Sequence, residues 1–406
     1  MGNTNQRPTT TTIQPSPSRS PPRKRAKSNL NGSISLRSFA SLASSRFSTK
    51  SSFSRKRKHT LNSDTPSTSG SILSIERHWQ ACGDFEPEFP YTDRTSESDY
   101  VLLNVLGHGR FATVYRAIRR RNSSTNSEPK QLAIKIQDKT KILKAGAEDQ
   151  IKNEVHIQRL LGKNKFVAEF FGSWQTSNEL FTTMAYVDGI GDLWTLFNEY
   201  GEFSEQVTCL YSVEIALGLE YLHNQNIVHR DLKMENLSLD SSLHIKFIDY
   251  GFAKQLEPGK RTMTICGTLQ FLAPEISKEQ PYGFEVDWFS LGILLFVMRT
   301  GKYPFPNNLA VTHRDLKFEC QPFPETLSEE LKSVLEKLLQ LNPNERLCSA
   351  AELFRQPFYE NVNIEGIQNQ DVVPYEIIKN EHKTTDRLVV KMSEAFDEHY
   401  NNFDLY

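Results

Sequence analysis

The sequence lacks any apolar run that could cross a membrane, and its N-terminal stretch lacks the apolar core of a secretory signal. The longest uninterrupted apolar run, residues 293–298, is far shorter than the roughly 20 residues that a membrane-spanning helix needs. Cysteine is also scarce, with five residues and no C-x-x-C pair. This usage gives no sign of a disulfide framework and favours reduced, mostly packed thiols. We therefore expect a cytoplasmic or nuclear protein.

Acidic residues are nearly absent from the first 75 positions. This stretch holds 13 Lys and Arg and one acid, Asp64, out of chain totals of 48 and 49, which leaves 35 basic and 48 acidic residues elsewhere. Because it is rich in Ser, Thr and Pro, we expect residues 1–94 to form a disordered basic tail. The basic clusters at 23–27 and 55–58 are typical of nuclear-import signals, of weak contacts with nucleic acid or membrane, or of a solvated tail without a partner. Gln6 stands where Ser or Thr is usual after Met-Gly, which disfavours N-myristoylation.

The residues that best indicate chemistry lie between 227 and 251, in a predicted strand, a charged loop and a hairpin. Phosphoryl transfer needs metal ions against the phosphates, an oriented hydroxyl and nearby positive charge. Asp231 can orient a hydroxyl and accept its proton, and Lys233 can reach the migrating phosphoryl group. Asn236 and Asp249 offer the oxygen ligands that Mg²⁺ prefers.

These residues fall in two strings that resemble the catalytic loop and the metal-binding motif of eukaryotic protein kinases. They are His-Arg-Asp-Leu-x-x-x-Asn at 229–236 and Asp-Tyr-Gly at 249–251. A second His-Arg-Asp-Leu-Lys string at 313–317 lacks the Asn, and we interpret it as a surface loop or a helix end.

The resemblance covers residues 95–360 and implies an α+β fold of two lobes. The small, strand-rich N-lobe spans 95–187, and the large, helical C-lobe spans 188–360. The implied reaction is transfer of the γ-phosphoryl group of ATP, with Mg²⁺, to Ser or Thr of protein substrates. The residues after 360 resemble the C-terminal tail of AGC-group kinases, which covers the small lobe; here it would be 361–406, with aromatic strings at 394–398 and 402–406.

A nucleotide-binding pattern occupies the predicted small lobe. Two glycines separate two strands at 106–115, and a lone Lys lies in the apolar strand 132–136. The resemblance implies that Lys135 binds phosphates and pairs with Glu154 of the next helix. The implied cofactor-binding residues are Leu106, Gly107, His108, Gly109, Arg110, Phe111, Ala112, Val114, Ala133, Lys135, Glu154, Met184, Ala185 and Val187.

The activation segment, residues 249–275, narrows the resemblance. Its Arg-Thr-x-Thr-x-Cys-Gly-Thr string is similar to the cyclic-nucleotide-dependent kinases of the AGC group. The similarity implies that Thr264 is a phosphosite whose phosphate pairs with Arg230 and Lys254. No cyclic-nucleotide-binding domain fits before residue 95, so control would come from a separate regulatory subunit or an activating kinase.

The resemblance also implies a substrate site and supporting contacts. Glu235 and Asp192 would bind basic residues upstream of the target hydroxyl, and Val297 stands where a third acid is usual, so this preference is weakened. The supporting contacts implied are Thr268 with Asp231 and Lys233, Glu275 with Arg346, and Asp287 with the backbone of the catalytic loop.

Two alternatives remain open. Departures from the family pattern at 112, 158, 234, 250 and 269–270 favour a catalytically impaired, ATP-binding scaffold. The complete functional set argues for an enzyme: Lys135, Glu154, Asp231, Lys233, Asn236 and Asp249. The basic tail alone favours a nucleic-acid-binding protein, but it lacks interleaved aromatic residues for base stacking.

Overall fold

The computed structural model describes residues 82–92, 99–120, 131–305 and 312–381. They form a small lobe built on an antiparallel sheet and a large lobe built mainly of helices. The predicted two-lobed α+β fold is therefore confirmed. The tail before residue 82 and the aromatic strings at 394–398 and 402–406 lie outside the described residues.

The small lobe is organised by a sheet whose strand order, within the described residues, is β1-β2-β3-β5-β4. Its strands are β1 (Tyr100–His108), β2 (Ala112–Arg119), β3 (Gln131–Asp138), β4 (Phe170–Gln175) and β5 (Glu179–Ala185). Leu132, Ala133 and Ile134 are consecutive and all buried. A short continuous apolar run of this kind indicates a strand that is covered on both faces, and β3 is the central strand.

Two helices follow β3: α1 (Lys139–Ala145) and α2 (Glu148–Leu161). Asp138 caps α1 by accepting a hydrogen bond from the Lys141 N–H at 3.0 Å, and Gly146 ends the helix with a φ of 60°. α2 buries the predicted apolar stripe, including Ile151 and Val155. The packing of this stripe sets where the polar face of α2 points.

The large lobe contains helices of very different character. They are α3 (Leu193–Tyr200), α4 (Glu205–Asn224), α5 (Pro274–Ser277), α6 (Glu285–Thr300), α7 (Glu329–Leu338), α8 (Ala350–Leu353), α9 (Ile364–Asn369) and α10 (Pro374–Glu381). α6 is buried along nearly its whole length and packs against α4 and α7, as the continuous apolar stretch at 291–298 predicts. α7 is amphipathic and buries Leu331, Val334, Leu335 and Leu338. Among the described residues, no helix is long and apolar enough to span a membrane.

Short strands frame the segment predicted to be catalytic. They are β6 (Gly191–Asp192), β7 (Ile227–Val228), β8 (Leu237–Leu239), β9 (Ile245–Phe247) and β10 (Lys254–Gln255). β8 and β9 form the predicted hairpin, and β7 pairs with β10. The loop between β7 and β8 and the turn after β9 therefore carry the predicted catalytic and metal-binding residues.

Both predicted domain boundaries need correction. Residues 82–92, assigned to the disordered tail, are structured in the small lobe, where Phe85 and Phe89 are fully buried. Residues 361–381, assigned to a tail over the small lobe, form α9 and α10 and pack against α4, with Ile367 buried in the core of the large lobe.

Candidate active site

Lys135 and Glu154 form an ion pair that joins β3 to α2. Lys135 Nζ contacts Glu154 Oε1, and the two side chains are 18% and 6% exposed. Burial alone would lower the pKa of Lys135, but the carboxylates of Glu154 and Asp249 outweigh burial and raise this pKa above its ordinary value. Lys135 is therefore a fixed cation.

The strand register gathers several predicted nucleotide contacts on one face of the sheet. Val114 lies opposite Lys135, and Ala133 lies opposite Met184. Because Ala133 and Lys135 are two residues apart, they point to the same face of β3. This face therefore combines apolar side chains with a single cation.

The glycines of the β1–β2 turn are not required by the protein's own packing. Neither Gly107 nor Gly109 has a positive φ. An added Cβ would meet no described atom within 4 Å at Gly107 and only Ala112, at 3.8 Å, at Gly109. The Gly109 N–H donates to the Ala112 carbonyl at 2.8 Å and closes the turn. Close approach of a phosphate-bearing ligand would explain the glycines, because only glycine leaves the backbone uncovered.

The other residues of this turn lie at its surface. Leu106, His108 and Arg110 are exposed. The Arg110 guanidinium lies 4.8 Å from the centre of the Phe111 ring, and Phe111 packs at the edge of a small-lobe core. These side chains therefore lie where they can cover a ligand bound under the turn.

The connection after β5 presents backbone groups. Met184 is buried and Val187 is half-buried. The Ala185 N–H already donates to the Glu169 carbonyl at 2.8 Å, so this N–H is not available to a base. The prediction for Ala185 is thereby narrowed to an acceptor role.

Asp231 has both carboxylate oxygens held by neighbours. Oδ1 accepts from the N–H and the hydroxyl of Thr268 at 2.8 and 2.7 Å. Oδ2 lies 2.9 Å from Lys233 Nζ and 3.1 Å from Asn236 Nδ2. Lys233 also donates to the Thr268 hydroxyl at 3.0 Å, so the predicted contacts of Thr268 are confirmed. Burial would lower the pKa of Lys233, but Asp231 outweighs burial and raises it.

Asp287 holds the backbone of the catalytic loop, as predicted. Its oxygens accept from the N–H groups of His229 and Arg230, both at 2.8 Å, and one lies 2.8 Å from His223 Nε2. Arg230 has a φ of 66°. Such strain in a non-glycine residue persists only where the surroundings fix it, and the two bonds to Asp287 do so. The other predicted support is also present: Arg346 forms a buried, two-pronged pair with Glu275 at 2.6 and 3.0 Å.

The activation segment approaches the catalytic loop at Gly267. This residue has a φ of 100°, and an added Cβ would lie 2.4 Å from the Arg230 carbonyl oxygen. Only glycine satisfies both conditions. The Arg230 side chain reaches the same segment, because its Nε donates to the Phe252 carbonyl at 2.6 Å.

The predicted phosphosite lies near its predicted cations without being paired to them. Thr264 is exposed, and its hydroxyl lies 3.3 Å from that of Thr262. Lys254 Nζ donates to Thr262 at 3.1 Å, whereas Arg230 donates to the Phe252 carbonyl at 2.6 Å and to the Tyr282 hydroxyl at 3.3 Å. Pairing of Arg230 and Lys254 with a phosphate on Thr264 stays a prediction.

Asp249 and Asn236 offer oxygen ligands at the cleft. Asp249 is exposed, and its Oδ1 accepts from the Gly251 N–H at 2.8 Å. Although the residue is exposed at the cleft, neighbouring protein atoms reduce its solvation, which would raise its pKa, but Lys135 and the Gly251 N–H outweigh this effect and lower the pKa. Asn236 donates through Nδ2 to the Asp231 carbonyl at 2.7 Å, which leaves its amide oxygen for a cation. In the described part of the chain, no group of three or more His, Cys, Asp or Glu side chains is arranged for a metal.

The two predicted substrate-binding acids, Asp192 and Glu235, lie in different surroundings. Asp192 caps α3, because its Oδ1 accepts from the N–H and the hydroxyl of Thr195 at 2.7 and 2.6 Å. Glu235 is half-buried, and burial raises its pKa. Val297, where a third acid would stand, is only 4% exposed.

Residues 100–359 match the family model described as the protein kinase domain. The chain belongs to the protein kinase family. A protein named as a serine/threonine-protein kinase in Caenorhabditis elegans is 36% identical over 75% of this chain and 69% of its own length. The ribosomal protein S6 kinase-related protein of Homo sapiens is 35% identical over 71% of this chain and 69% of its own. The eye isozyme of protein kinase C of Drosophila melanogaster is 33% identical over 70% of this chain and 40% of its own.

The chain is accordingly a protein serine/threonine kinase that acts on protein substrates, uses ATP and depends on a divalent cation. Its relatives are named as S6 kinase-related, protein kinase C and RAC family kinases, which are kinases of the AGC type. Two of the departures that favoured an inactive scaffold, at 234 and 250, are accommodated by the packing. Tyr250 is buried and donates its hydroxyl to the Phe247 carbonyl at 3.2 Å, and Met234 is buried in the core of the large lobe. The kinase thus tolerates both changes without loss of the Asp231 contacts.

Two contacts between α2 and the start of the activation segment were not predicted from the sequence. Gln150 Nε2 donates to the Gly251 carbonyl at 2.9 Å, and Asn153 Nδ2 donates to the Ala253 carbonyl at 2.8 Å. Gln150 lies one turn before Glu154, so its place on the same helix face was a usable signal. These bonds couple the position of α2 to that of Asp249.

Proposed function

We propose that Asp231 orients the substrate hydroxyl and accepts its proton, that Lys233 neutralises charge on the migrating phosphoryl group, and that Lys135 anchors the phosphates of ATP. The observation that carries this proposal is the simultaneous presence of two networks. Lys135 is paired with Glu154, and Asp231 is fixed by Thr268 and Lys233. A fixed carboxylate and a fixed cation on facing elements are what phosphoryl transfer requires from a protein.

Mg²⁺ is the divalent cation proposed for this site. Asp249 and Asn236 would hold it, and it would neutralise charge on the phosphate oxygens. One carboxylate and one amide suit Mg²⁺, which commonly binds through one or two carboxylates together with substrate phosphates. The lowered pKa of Asp249 keeps its carboxylate charged near neutral pH.

The nucleotide would lie on the sheet face that carries Val114, Ala133, Lys135 and Met184. The exposed turn from residue 106 to 112 would close over its phosphates, and the Ala185 carbonyl with the Val187 backbone would contact the base. Support comes from the open space at both turn glycines.

The preferred protein substrates would carry a basic residue upstream of the target Ser or Thr, with only a modest preference. Glu235 keeps a half-buried carboxylate for this purpose. Asp192 has one oxygen engaged as the α3 cap, and Val297 supplies no charge. The remaining negative charge is therefore smaller than three free acids would provide.

The closer similarity to the cyclic-nucleotide-dependent kinases rests on the Arg-Thr-x-Thr-x-Cys-Gly-Thr string at 261–268. On that placement, Thr264 is phosphorylated by this or another kinase, and its phosphate draws in Arg230 and Lys254. A separate regulatory subunit would carry any cyclic-nucleotide control. The basic clusters would direct the protein to the nucleus as well as the cytoplasm.

The proposal is tested by transfer of radiolabelled γ-phosphate from MgATP to a Ser/Thr peptide library with basic positions. Wild-type protein, Asp249→Asn and Asp315→Asn are compared, since Asp315 lies in the second His-Arg-Asp string on the surface. We expect incorporation with wild type and Asp315→Asn, its loss with Asp249→Asn, and its loss on chelation with recovery on added Mg²⁺. Activity that survives in Asp249→Asn would refute the assigned metal role.

A further inference from the structure

Residues 82–92, here called the N-terminal wedge, lie outside the stretch that matches the kinase family, which begins at residue 100. They nevertheless supply part of the small-lobe core. Phe85 and Phe89 are both 0% exposed, and their rings meet edge-on at 6.4 Å between centres. Two large aromatic side chains buried by a segment outside the family domain need a physical explanation.

The two rings fill the space between α1, α2 and β5. They belong to one buried cluster whose other members are Ile142, Ala147, Ile151, Val155 and Leu180. Ile151 and Val155 lie on α2, on either side of Glu154 in sequence. The apolar face of the helix that carries Glu154 therefore packs on the wedge.

Polar contacts fasten the wedge at the end of β4. Gln175 Nε2 donates to the carbonyls of Cys82 and Phe89 at 2.8 and 2.6 Å. The backbone of Gln175 also pairs with it, donating to Pro90 and accepting from Thr92 at 3.0 and 2.9 Å. These bonds leave the wedge little freedom to move away from α2.

Lys139, at the start of α1, adds a buried anchor. Its ammonium is within 2.5 Å of Gln175 Oε1, 2.6 Å of the Thr176 carbonyl and 3.4 Å of Cys82 Sγ, and it lies 5.5 Å from the centre of the Phe85 ring. Burial lowers the pKa of Lys139. A buried amine with this many partners indicates a fixed junction, because an unmatched one would be costly.

We propose that the N-terminal wedge is a positioning segment for catalysis, which holds α2 so that Glu154 pairs with Lys135. The catalytic module of this kinase thus begins near residue 82, and the segment that supports α2 comes from the N-terminal side of the domain. The inference rests on the proposed role of the Lys135–Glu154 pair. Without Phe85 and Phe89, α2 loses the packing surface for Ile151 and Val155, the two apolar residues nearest to Glu154 on this cluster, while Gln150 and Asn153 still hold it to the activation segment.

The test uses the full chain with Phe85→Ala and Phe89→Ala combined, and Asp84→Ala as the matched control in the exposed part of the wedge. We expect kcat to fall about tenfold in the double variant, with KM for the peptide substrate unchanged because the substrate-binding acids lie in the large lobe. Asp84→Ala should match wild type. Amide hydrogen exchange should accelerate in α2 and stay slow in α6.

A second experiment distinguishes a role in positioning α2 from a general loss of stability. In it, a separate peptide of residues 82–92 is added to the double variant. It should restore kcat of the double variant, whereas the same peptide with both Phe replaced by Ala should not. If the double variant does not fold, Phe89→Leu is measured in its place, and we expect a smaller loss of kcat. A folded double variant with kcat within about twofold of wild type, or equal rescue by both peptides, would overturn the proposal. Inactive wild-type protein would instead count against the proposed function.

Discussion

Replacing a buried glutamine by leucine should stabilise the protein at one position of the small lobe and destabilise it at another. Gln158 on α2 is 4% exposed, and its Oε1 has no hydrogen-bond partner among the described residues. Gln175 at the end of β4 is 0% exposed and uses both ends of its amide, with Lys139 on one side and the carbonyls of Cys82 and Phe89 on the other. Leu matches Gln closely in size, so Gln→Leu changes polarity more than volume.

The expected magnitudes follow from this difference. A buried acceptor without a partner costs about 1–3 kcal/mol, so Gln158→Leu should raise the free energy of unfolding by about 1–2 kcal/mol after a small packing loss. Gln175→Leu removes three hydrogen bonds and strips a partner from a buried ammonium, so it should lower the free energy of unfolding by about 3–5 kcal/mol.

Thermal unfolding followed by circular dichroism, with urea titration as a second probe, measures both changes. Gln158→Leu should raise Tm by about 3–6 °C and Gln175→Leu should lower it by about 8 °C or more. If both variants lose stability, Gln158 must have a partner that the reasoning omits, and the assignment of an unsatisfied acceptor on α2 would be wrong.

Two further predictions concern the large lobe. Val297→Glu should improve use of peptides with a basic residue two positions before the target, at a stability cost of about 1–3 kcal/mol because position 297 is 4% exposed; an unchanged peptide profile would contradict the mapping of the substrate site. Asp287→Asn should cost about 2–3 kcal/mol of stability at pH 7, since it weakens the acceptors for two backbone N–H groups. Burial would raise the pKa of Asp287, but His223 and the loop N–H groups outweigh burial and lower the pKa below its ordinary value. The carboxylate's contribution to stability is therefore present above the pKa of the unfolded state and is lost as pH falls through the lower folded-state pKa. The difference in stability between wild type and variant in urea titrations should stay constant near neutral pH and close only in acid.

The functional core could be predicted from sequence because its information is local. Asp231, Lys233 and Asn236 lie within six positions, and one family pattern fixes their spacing. α7 could be predicted because its apolar residues repeat with the helical period, and α6 because residues 291–298 are apolar on every side of a helix. α1 could not, since seven residues give too little periodicity. The placement of α9 and α10 against α4 depends on tertiary packing that no local pattern encodes.

The wedge escaped prediction for a further reason. Phe-Glu-Pro-Glu-Phe at 85–89 shows neither a helical nor a strand period, and it follows a polar tail, so its composition indicates a loop. Its burial depends on a groove formed by residues more than 50 positions later and on Lys139, which sequence reasoning assigns to solvent because lysine is rarely buried. The two Phe residues and Lys139 are each weak signals in the sequence. Their connection is visible only in the structure, where Gln175 hydrogen-bonds both Lys139 and the Phe89 carbonyl. Family boundaries alone are therefore a poor guide for designing variants of this kinase: a chain cut at residue 100 would keep every predicted catalytic residue and lose the Phe85 and Phe89 surface on which α2 packs.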